Sequence, residues 1–152
     1  MKGHPIQRIV GLLLMLFSTT MLPPLAVSLA FSDGSHDAFL IAMGAIAGLG
    51  LVMWFPAAGA KGELRLRDGF MVVVLFWVVL GLSGALPFML AEQPGMSLAD
   101  AVFESVSGLT TTGATVIVGI DNLPPSVALY RQMLQWLGGM GIIVLAVAIL
   151  PM

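Results

Sequence analysis

The sequence predicts an all-α membrane protein, and three observations carry that prediction. Of the 152 residues, 59% are hydrophobic and only 9% are charged, whereas an ordinary soluble domain carries roughly 25% charged residues. Four apolar stretches each reach the roughly 20 residues that a spanning helix requires. Between the third and fourth stretches lies a shorter apolar segment that runs into a region rich in threonine and glycine.

The four predicted spans cover residues 6–31, 38–58, 70–90 and 126–150. The first contains Pro23 and Pro24, which remove two amide donors, and a helix that stopped before them would be too short to cross. We therefore expect the prolines to kink the first span and not to end it. The alternative is a cleaved signal peptide, but the apolar region exceeds the usual length of about 7–15 residues.

Basic residues are distributed unevenly between the loops. Five of the six lie before the first span, at its start, or between the second and third spans: Lys2, Arg8, Lys61, Arg65 and Arg67. Because positively charged loops remain cytoplasmic, we expect a multi-pass protein with both termini in the cytoplasm. The loop after the first span carries Asp33 and Asp37 instead, and these residues are expected to be solvated outside the membrane.

Several function classes are not expected from this composition. The absence of cysteine excludes a disulfide framework, a zinc finger and a thiolate nucleophile. No basic patch is available for nucleic acid, and no Ser/His/Asp arrangement or pair of acids at catalytic spacing appears, so we expect neither an enzyme nor a bound cofactor.

The segment after the third span predicts a helix of half the membrane thickness. Ser97 can cap it, with Asp100 three residues later in a capping-box arrangement. The apolar residues that follow predict a helix over 98–108 that ends at Gly108. At 1.5 Å per residue this helix is about 16 Å long, roughly half of the hydrocarbon core. Such a helix enters the membrane and does not cross it.

The next residues, "LTTTGATVIVG", favour an extended chain because they are rich in β-branched residues and glycine. Extended backbone at membrane depth is tolerated only where it is buried in protein or lines a water-filled cavity. In a selectivity filter its carbonyl oxygens replace the water shell of a cation, and Gly113 allows a backbone angle that turns carbonyls inward. The pattern therefore predicts a filter for a hard cation over residues 110–115, with K⁺ and Na⁺ both open.

Glu104 is the ionisable residue of the predicted pore helix beyond its capping residue Asp100, and such a residue within the membrane usually has a partner. We expect an ion pair with Arg131, which lies near the outer end of the fourth span, and this pair would brace the pore helix. The alternative is that Arg131 extends to the membrane interface.

Two groups of glycines are expected to serve helix packing. Gly44 and Gly48 form a GxxxG sequence, for which we favour close packing inside the protein over homodimerisation. Gly138, Gly139 and Gly141 resemble part of a dinucleotide-binding loop, but no strand precedes them. We expect them to let the fourth span approach the filter closely.

Two stretches, "FESVSGLTTTGATV" and "YRQMLQWLGGMGIIVLAVAILP", resemble the first membrane-pore-membrane repeat of the Trk/Ktr/HKT superfamily of K⁺ transporters, and its bacterial TrkH/TrkG branch in particular. The resemblance covers essentially the whole chain. It implies two N-terminal transmembrane helices in residues 1–60 and one pore repeat in 61–152. That repeat would comprise an outer helix (about 70–90), a re-entrant pore helix (about 98–108), an extended filter (about 110–115) and an inner helix (about 126–150).

The resemblance further implies K⁺ uptake across the bacterial inner membrane. Carried over by position, the K⁺-coordinating carbonyls are those of Thr111 and Thr112, and the filter is completed by Thr110, Gly113 and Ala114. Members with serine at the first filter glycine tend to pass Na⁺, so Gly113 favours K⁺. Whether transport is channel-like or coupled to protons stays open.

Members of the superfamily carry four such repeats around one pore, whereas this chain carries one. We therefore expect an N-terminal fragment that functions with the remaining repeats. The alternatives are a homotetrameric one-repeat cation channel and a non-conducting fragment that packs against other membrane subunits. The resemblance implies a homodimer of complete subunits, contact with membrane lipid and a cytoplasmic nucleotide-binding regulatory subunit.

Overall fold

The computed structural model describes residues 5–59 and 66–149, except for the side chains of 66, 67, 142 and 144–149. Seven α-helices occur in these ranges: α1 (Pro5–Thr19), α2 (Leu22–Phe31), α3 (His36–Trp54), α4 (Leu66–Ser83), α5 (Leu86–Leu90), α6 (Leu98–Leu109) and α7 (Pro125–Ile149). Short 3₁₀ turns cover Phe55–Ala57 and Ile120–Asn122. The same ranges contain no strand, so the predicted all-α class is confirmed. Lys2, Lys61 and Arg65, which underlie the predicted orientation, lie outside the described residues.

Three helical segments of the described chain are long and apolar enough to cross a membrane: Pro5–Phe31, His36–Ala57 and Asp68–Leu90. They correspond to the first three predicted spans. The fourth predicted span corresponds to α7, whose 25 residues would extend about 37 Å. α7 is not among the three segments, so its role as a span stays a prediction.

The first span is one membrane segment but two helices. α1 ends at Thr19, and the amides of Thr20 and Met21 bond three residues back, to Phe17 and Ser18, at 3.1 and 3.2 Å. The proline pair then lies in the first turn of α2, where a missing amide donor costs least. The predicted kink is therefore a break: the span continues, as expected, but the helix does not.

A second break, between α4 and α5, was not predicted. It falls at Gly84 and Ala85, where the chain passes so close to α6 that a Cβ atom on Gly84 would collide with the hydroxyl of Ser105. The Gly84 carbonyl accepts a hydrogen bond from the buried Tyr130 hydroxyl at 2.9 Å. The break thus lets the third span contact both α6 and α7.

The N-terminal helices pack through two glycines that no local motif indicates. A Cβ atom on Gly11 would lie 2.7 Å from the Gly50 carbonyl oxygen, and one on Gly50 would lie 2.8 Å from the Gly11 carbonyl oxygen. The predicted packing at Gly44 and Gly48 is wrong for the described chain, because no atom lies within 4 Å of a Cβ built on either. The buried face of α3 instead carries Ala38, Phe39, Ala42, Ile46 and Gly50.

Helix α6 packs between α4 and α7. Helix α2 contacts α7, and α3 contacts α2 and α5, on the other side of the core. Tyr130 of α7 is buried at this junction, and its ring contacts Phe39 and Phe88 with centroid separations of 5.6 and 5.2 Å. These tilted and edge-to-face contacts are the favourable geometry for aromatic rings. The start of α7 is therefore held by α3, α5 and the break in the third span.

Candidate functional site

The N-terminus of α6 is capped as the sequence predicts. The Ser97 hydroxyl oxygen accepts a hydrogen bond from the Asp100 amide at 3.2 Å, and it donates to the Asp100 carboxylate at 2.7 Å. In a standard capping box the carboxylate would accept from the backbone amide of the cap residue. The shorter aspartate bonds to the hydroxyl instead, and the helix begins at Leu98.

The C-terminus of α6 differs from the prediction. The helix continues through Gly108 to Leu109, and Gly108 serves close packing, since a Cβ atom there would lie 3.2 Å from Cβ of Leu134. The amides of Thr111 and Thr112 bond to the carbonyls of Gly108 and Ser107, both at 2.9 Å. These two bonds form a Schellman motif, whose left-handed position is usually glycine.

In this chain the left-handed position is Thr111, with φ of 59°. A left-handed conformation costs a non-glycine residue roughly 1–2 kcal/mol. Gly113 also has a positive φ, 75°. The predicted extended segment over 110–115 is therefore a turn at Thr110 and Thr111, followed by irregular backbone.

The backbone carbonyls after α6 divide into two groups. Among the hydrogen bonds of the described residues, none is accepted by the carbonyls of Thr110, Thr111 or Thr112. The Gly113 carbonyl has a long contact of 3.4 Å with Nη2 of Arg131, whereas the Ala114 carbonyl accepts a bond of 2.6 Å from the Ser107 hydroxyl. Free carbonyls thus precede bonded ones.

The turn and the irregular backbone that follows it are exposed from residue 110 through 116, and this segment is called the turn after α6 below. Beside it runs an open groove of about 440 Å³ along one face of α6, lined by Ala99, Val102, Phe103, Val106, Ser107, Thr110, Thr112 and Ala114. Two threonine hydroxyls, those of Thr110 and Thr112, bond to each other at 2.8 Å at its edge. The described residues contain no cluster of three or more metal-binding side chains, so the oxygen atoms here are carbonyls and hydroxyls.

Glu104 and Arg131 are in contact behind the turn. Arg131 Nε donates to Glu104 Oε1. Both residues are buried, with 1% of Glu104 and 6% of Arg131 exposed. The second carboxylate oxygen accepts the Thr115 hydroxyl at 2.9 Å and the Val116 amide at 3.2 Å. The structure thus brings together the two residues that we expected to pair, and it excludes the alternative in which Arg131 extends to the interface.

The glycines of α7 lie close to this turn. A Cβ atom on Gly138 would collide with the carbonyl of Leu109, whereas one on Gly139 would meet only Cγ2 of Thr111, at 3.8 Å. A Cβ atom on Gly141 would lie 3.8 Å from the ring of Phe76. Close approach of α7 to the end of α6 therefore depends mainly on Gly138.

Sequence reasoning missed Ser107 and Thr115 as anchors and misplaced Asp33. Both residues lie in the quoted segment, but nothing local shows that the Ser107 hydroxyl bonds to the Ala114 carbonyl or the Thr115 hydroxyl to Glu104. Asp33 is not a solvated loop residue: its carboxylate accepts bonds from three serines, Ser28, Ser35 and Ser126. Asp37 remains exposed, beside His36 at 3.5 Å.

Comparison with known proteins identifies the family to which the chain belongs. A family profile described as "TrkH: Cation transport protein" matches residues 35–152. The chain belongs to the TrkH family. The predicted resemblance is therefore confirmed, and the family is one of membrane transport proteins.

The similarity covers nearly all of this chain but only part of each relative. The "Trk system potassium uptake protein TrkH" of Halomonas elongata is 62% identical over 151 residues, which is 99% of this chain and 31% of that protein. The protein of the same name from Escherichia coli K12 is 57% identical over the same shares. The crystal structure of the potassium transporter TrkH from Vibrio parahaemolyticus is 58% identical, with a TM-score of 0.91 over 97% of this chain and 31% of that one. The chain thus spans about a third of the relatives' length.

Proposed function

We propose that this chain supplies one filter segment of a K⁺ uptake pathway across the bacterial inner membrane, and that further repeats complete the pathway. One observation carries the proposal most directly. Thr110, Thr111 and Thr112 are exposed residues whose carbonyls accept no hydrogen bond among the described residues, although the segment around them is anchored to buried side chains. Relatives named as potassium uptake proteins support K⁺ as the transported ion.

The carbonyls of Thr110, Thr111 and Thr112 are proposed as the main ligands of the ion. Gly113 contributes its carbonyl as well, because its contact with Arg131, at 3.4 Å, is too long to hold the oxygen as the 2.6 Å bond holds that of Ala114. Ala114 is assigned a different role from the one that the sequence predicted: its carbonyl is held by Ser107, so it anchors the segment. The C-terminal end of α6 adds a partial negative charge that favours a cation.

Gly113 is the residue through which selectivity is tested. In the described part of the chain, no atom lies within 4 Å of a Cβ built on Gly113, so a serine fits in space but is strained at a φ of 75°. In a complete transporter that contains this chain, Gly113→Ser is expected to raise Na⁺ flux relative to K⁺ flux in reconstituted vesicles. Gly119→Ser is the matched control, because Gly119 has the same φ and lies outside the filter.

The result with Gly113→Ser decides between two accounts of the segment. A changed flux ratio in that variant, with an unchanged ratio in the Gly119 variant, supports the filter. An unchanged ratio in both would overturn the role of Gly113 and the filter with it.

The proposed assembly is one in which residues 61–152 form the first of several repeats and residues 1–60 flank it. The groove beside α6 is open in this chain, so a single copy does not surround an ion. The two other candidates are a homotetramer and a non-conducting packing fragment. The mass of the purified chain in detergent, with K⁺ flux into vesicles, separates them: flux by four assembled copies would contradict the need for further repeats.

The full subunit is proposed to form a homodimer and to bind a cytoplasmic nucleotide-binding regulatory subunit, with both termini of this chain on the cytoplasmic side. These parts of the proposal rest on family membership. Cysteine labelling of residues near each terminus in sealed vesicles tests the orientation, and labelling from the outer side would contradict it.

A further inference from the structure

Asp33 connects two parts of the chain that are far apart in sequence. It lies in the turn between α2 and α3, flanked by Ser32 and Gly34, both in the left-handed conformation with φ of 51° and 81°. One carboxylate oxygen accepts the Ser28 hydroxyl at 2.5 Å and the Ser35 amide at 3.0 Å. The other accepts the Ser126 amide at 3.0 Å. The turn therefore directs one aspartate at the start of α7.

The start of α7 has no local side chain to cap it. The residues before Ser126 are Pro124 and Pro125, and proline offers neither a capping oxygen nor an amide donor. The first helical bond runs from the Ala128 amide to the Pro124 carbonyl at 3.0 Å, so Ser126 carries an orphan amide of the first turn. Asp33 satisfies it from 93 residues earlier in the chain.

The carboxylate is suited to this role. Its partial burial favours the neutral acid, but hydrogen bonds from Ser126, Ser28 and Ser35 outweigh that effect and lower the pKa of Asp33 to about 2. Because the pKa is lower in the folded protein than in the unfolded chain, the carboxylate stabilises the fold at any pH above its pKa in the unfolded chain. This stabilisation is lost only as the pH falls towards 2. At neutral pH the aspartate is therefore an anion beside the positive end of the α7 dipole.

The first turns of α7 also carry the contacts to the filter. Tyr130, one helical turn after Ser126, donates to the Gly84 carbonyl. Arg131 follows, about 7.5 Å along the axis from Ser126, and contacts Glu104 and the Gly113 carbonyl. A rotation or shift of the end of α7 would move Arg131 relative to both partners.

We propose that Asp33 is a positioning residue for the ion filter, which it serves as the N-cap of α7 supplied from the other side of the fold. By fixing the axial position and rotation of α7, it sets where Arg131 holds Glu104 and Gly113. The first two membrane spans, which Asp33 connects, thereby take part in ion selection without contacting the ion. The selectivity half of this inference rests on the proposed function, whereas the capping half does not.

The test compares Asp33→Ala with Asp33→Asn in a complete transporter that contains this chain. Asparagine caps helices about as well as aspartate, whereas alanine does not, but the single side-chain oxygen of asparagine can keep only the bond from the Ser126 amide and not those from Ser28 and Ser35 as well. Asp33→Ala is expected to speed hydrogen exchange at the amides of residues 126–128 by about fivefold to tenfold, and to lower the ratio of K⁺ to Na⁺ flux severalfold. Asp33→Asn should give exchange rates and flux ratios between those of Asp33→Ala and the unchanged protein, because it can keep the cap on the Ser126 amide but loses the other carboxylate oxygen.

Asp37→Asn is the matched control, because Asp37 lies four residues away in the first turn of α3 and is exposed. It removes the same charge and should change neither exchange nor flux ratio. Unchanged exchange in Asp33→Ala would overturn the cap. Faster exchange with an unchanged flux ratio would overturn the link to selectivity.

Gly113→Ser, measured in the same vesicles, separates failure of this inference from failure of the filter. If Gly113→Ser shifts the flux ratio and Asp33→Ala does not, the filter stands and the positioning role of Asp33 is wrong. If neither variant shifts it, both proposals fail.

Discussion

The turn after α6 has two sides that are built in opposite ways. On the buried side, the Ala114 carbonyl, the Thr115 hydroxyl and the Val116 amide are bonded to Ser107 and Glu104. On the exposed side, the carbonyls of residues 110–112 accept no bond among the described residues. Under the proposed function, this difference means that the protein fixes the backbone from one side, so that the oxygen atoms on the other side are already in place for an ion.

The largest expected effect comes from breaking the buried side. Arg131→Met removes the partner of a carboxylate that is 1% exposed, and an unpaired buried charge costs roughly 3–5 kcal/mol. Chemical unfolding in detergent should show that the free energy of unfolding falls by that amount. A loss below about 1 kcal/mol would show that the pair does not hold the turn, since that is what an exposed pair contributes.

The approach of α7 to the turn is tested by two neighbouring glycines. Gly138→Ala places a Cβ atom against the Leu109 carbonyl, and such overpacking typically costs about 1–3 kcal/mol. Gly139→Ala is the control, because its Cβ atom would be at ordinary contact distance from Thr111. It should leave stability unchanged or raise it slightly, since alanine favours a helix over glycine. Equal effects of both substitutions on thermal stability would contradict the close contact at Gly138.

A single hydroxyl links α6 to the bonded side of the turn. Ser107→Ala removes the donor to the Ala114 carbonyl, which should cost about 1 kcal/mol and lower the ratio of K⁺ to Na⁺ flux. Ser105→Ala is the matched control in the same helix, because the buried Ser105 hydroxyl has no hydrogen-bond partner among the described residues. A reduced flux ratio in the Ser105 variant alone would contradict the assignment of Ser107.

The smallest expected change in stability is on the exposed side, at Thr111. Thr111→Gly relieves a left-handed conformation, and the gain is largely offset by the greater backbone entropy of glycine, so the net change is expected to be below about 1 kcal/mol. Flux should respond more strongly, because the looser backbone no longer holds adjacent carbonyls in place. A destabilised variant with normal selectivity would show that the threonine serves folding and not the ion.

The sequence was most informative where one local pattern determines the structure. The cap formed by Ser97 and Asp100 and the start of α6 follow from residues three apart, as capping does generally. The pairing of Glu104 with Arg131 was also predictable, because a buried acid requires a partner.

Contacts between distant segments that no buried charge requires were not predictable. The close contact between Gly11 and Gly50 and the break at Gly84 are set by neighbouring helices, and the GxxxG spacing of Gly44 and Gly48 indicated the wrong face of α3. Asp33 was misplaced for the same reason: its partner Ser126 lies 93 residues away. The Schellman ending escaped prediction because threonine occupies a position where glycine is usual.

The central claim is that cations bind on the free carbonyls of the turn and not on the bonded ones. The most direct measurement is anomalous diffraction from crystals of a complete transporter that contains this chain, grown with Rb⁺ or Tl⁺ in place of K⁺. The account predicts an anomalous peak within coordination distance of the carbonyls of Thr110, Thr111 and Thr112. A peak that lies instead against Ala114, or the absence of any peak along residues 110–113, would contradict it.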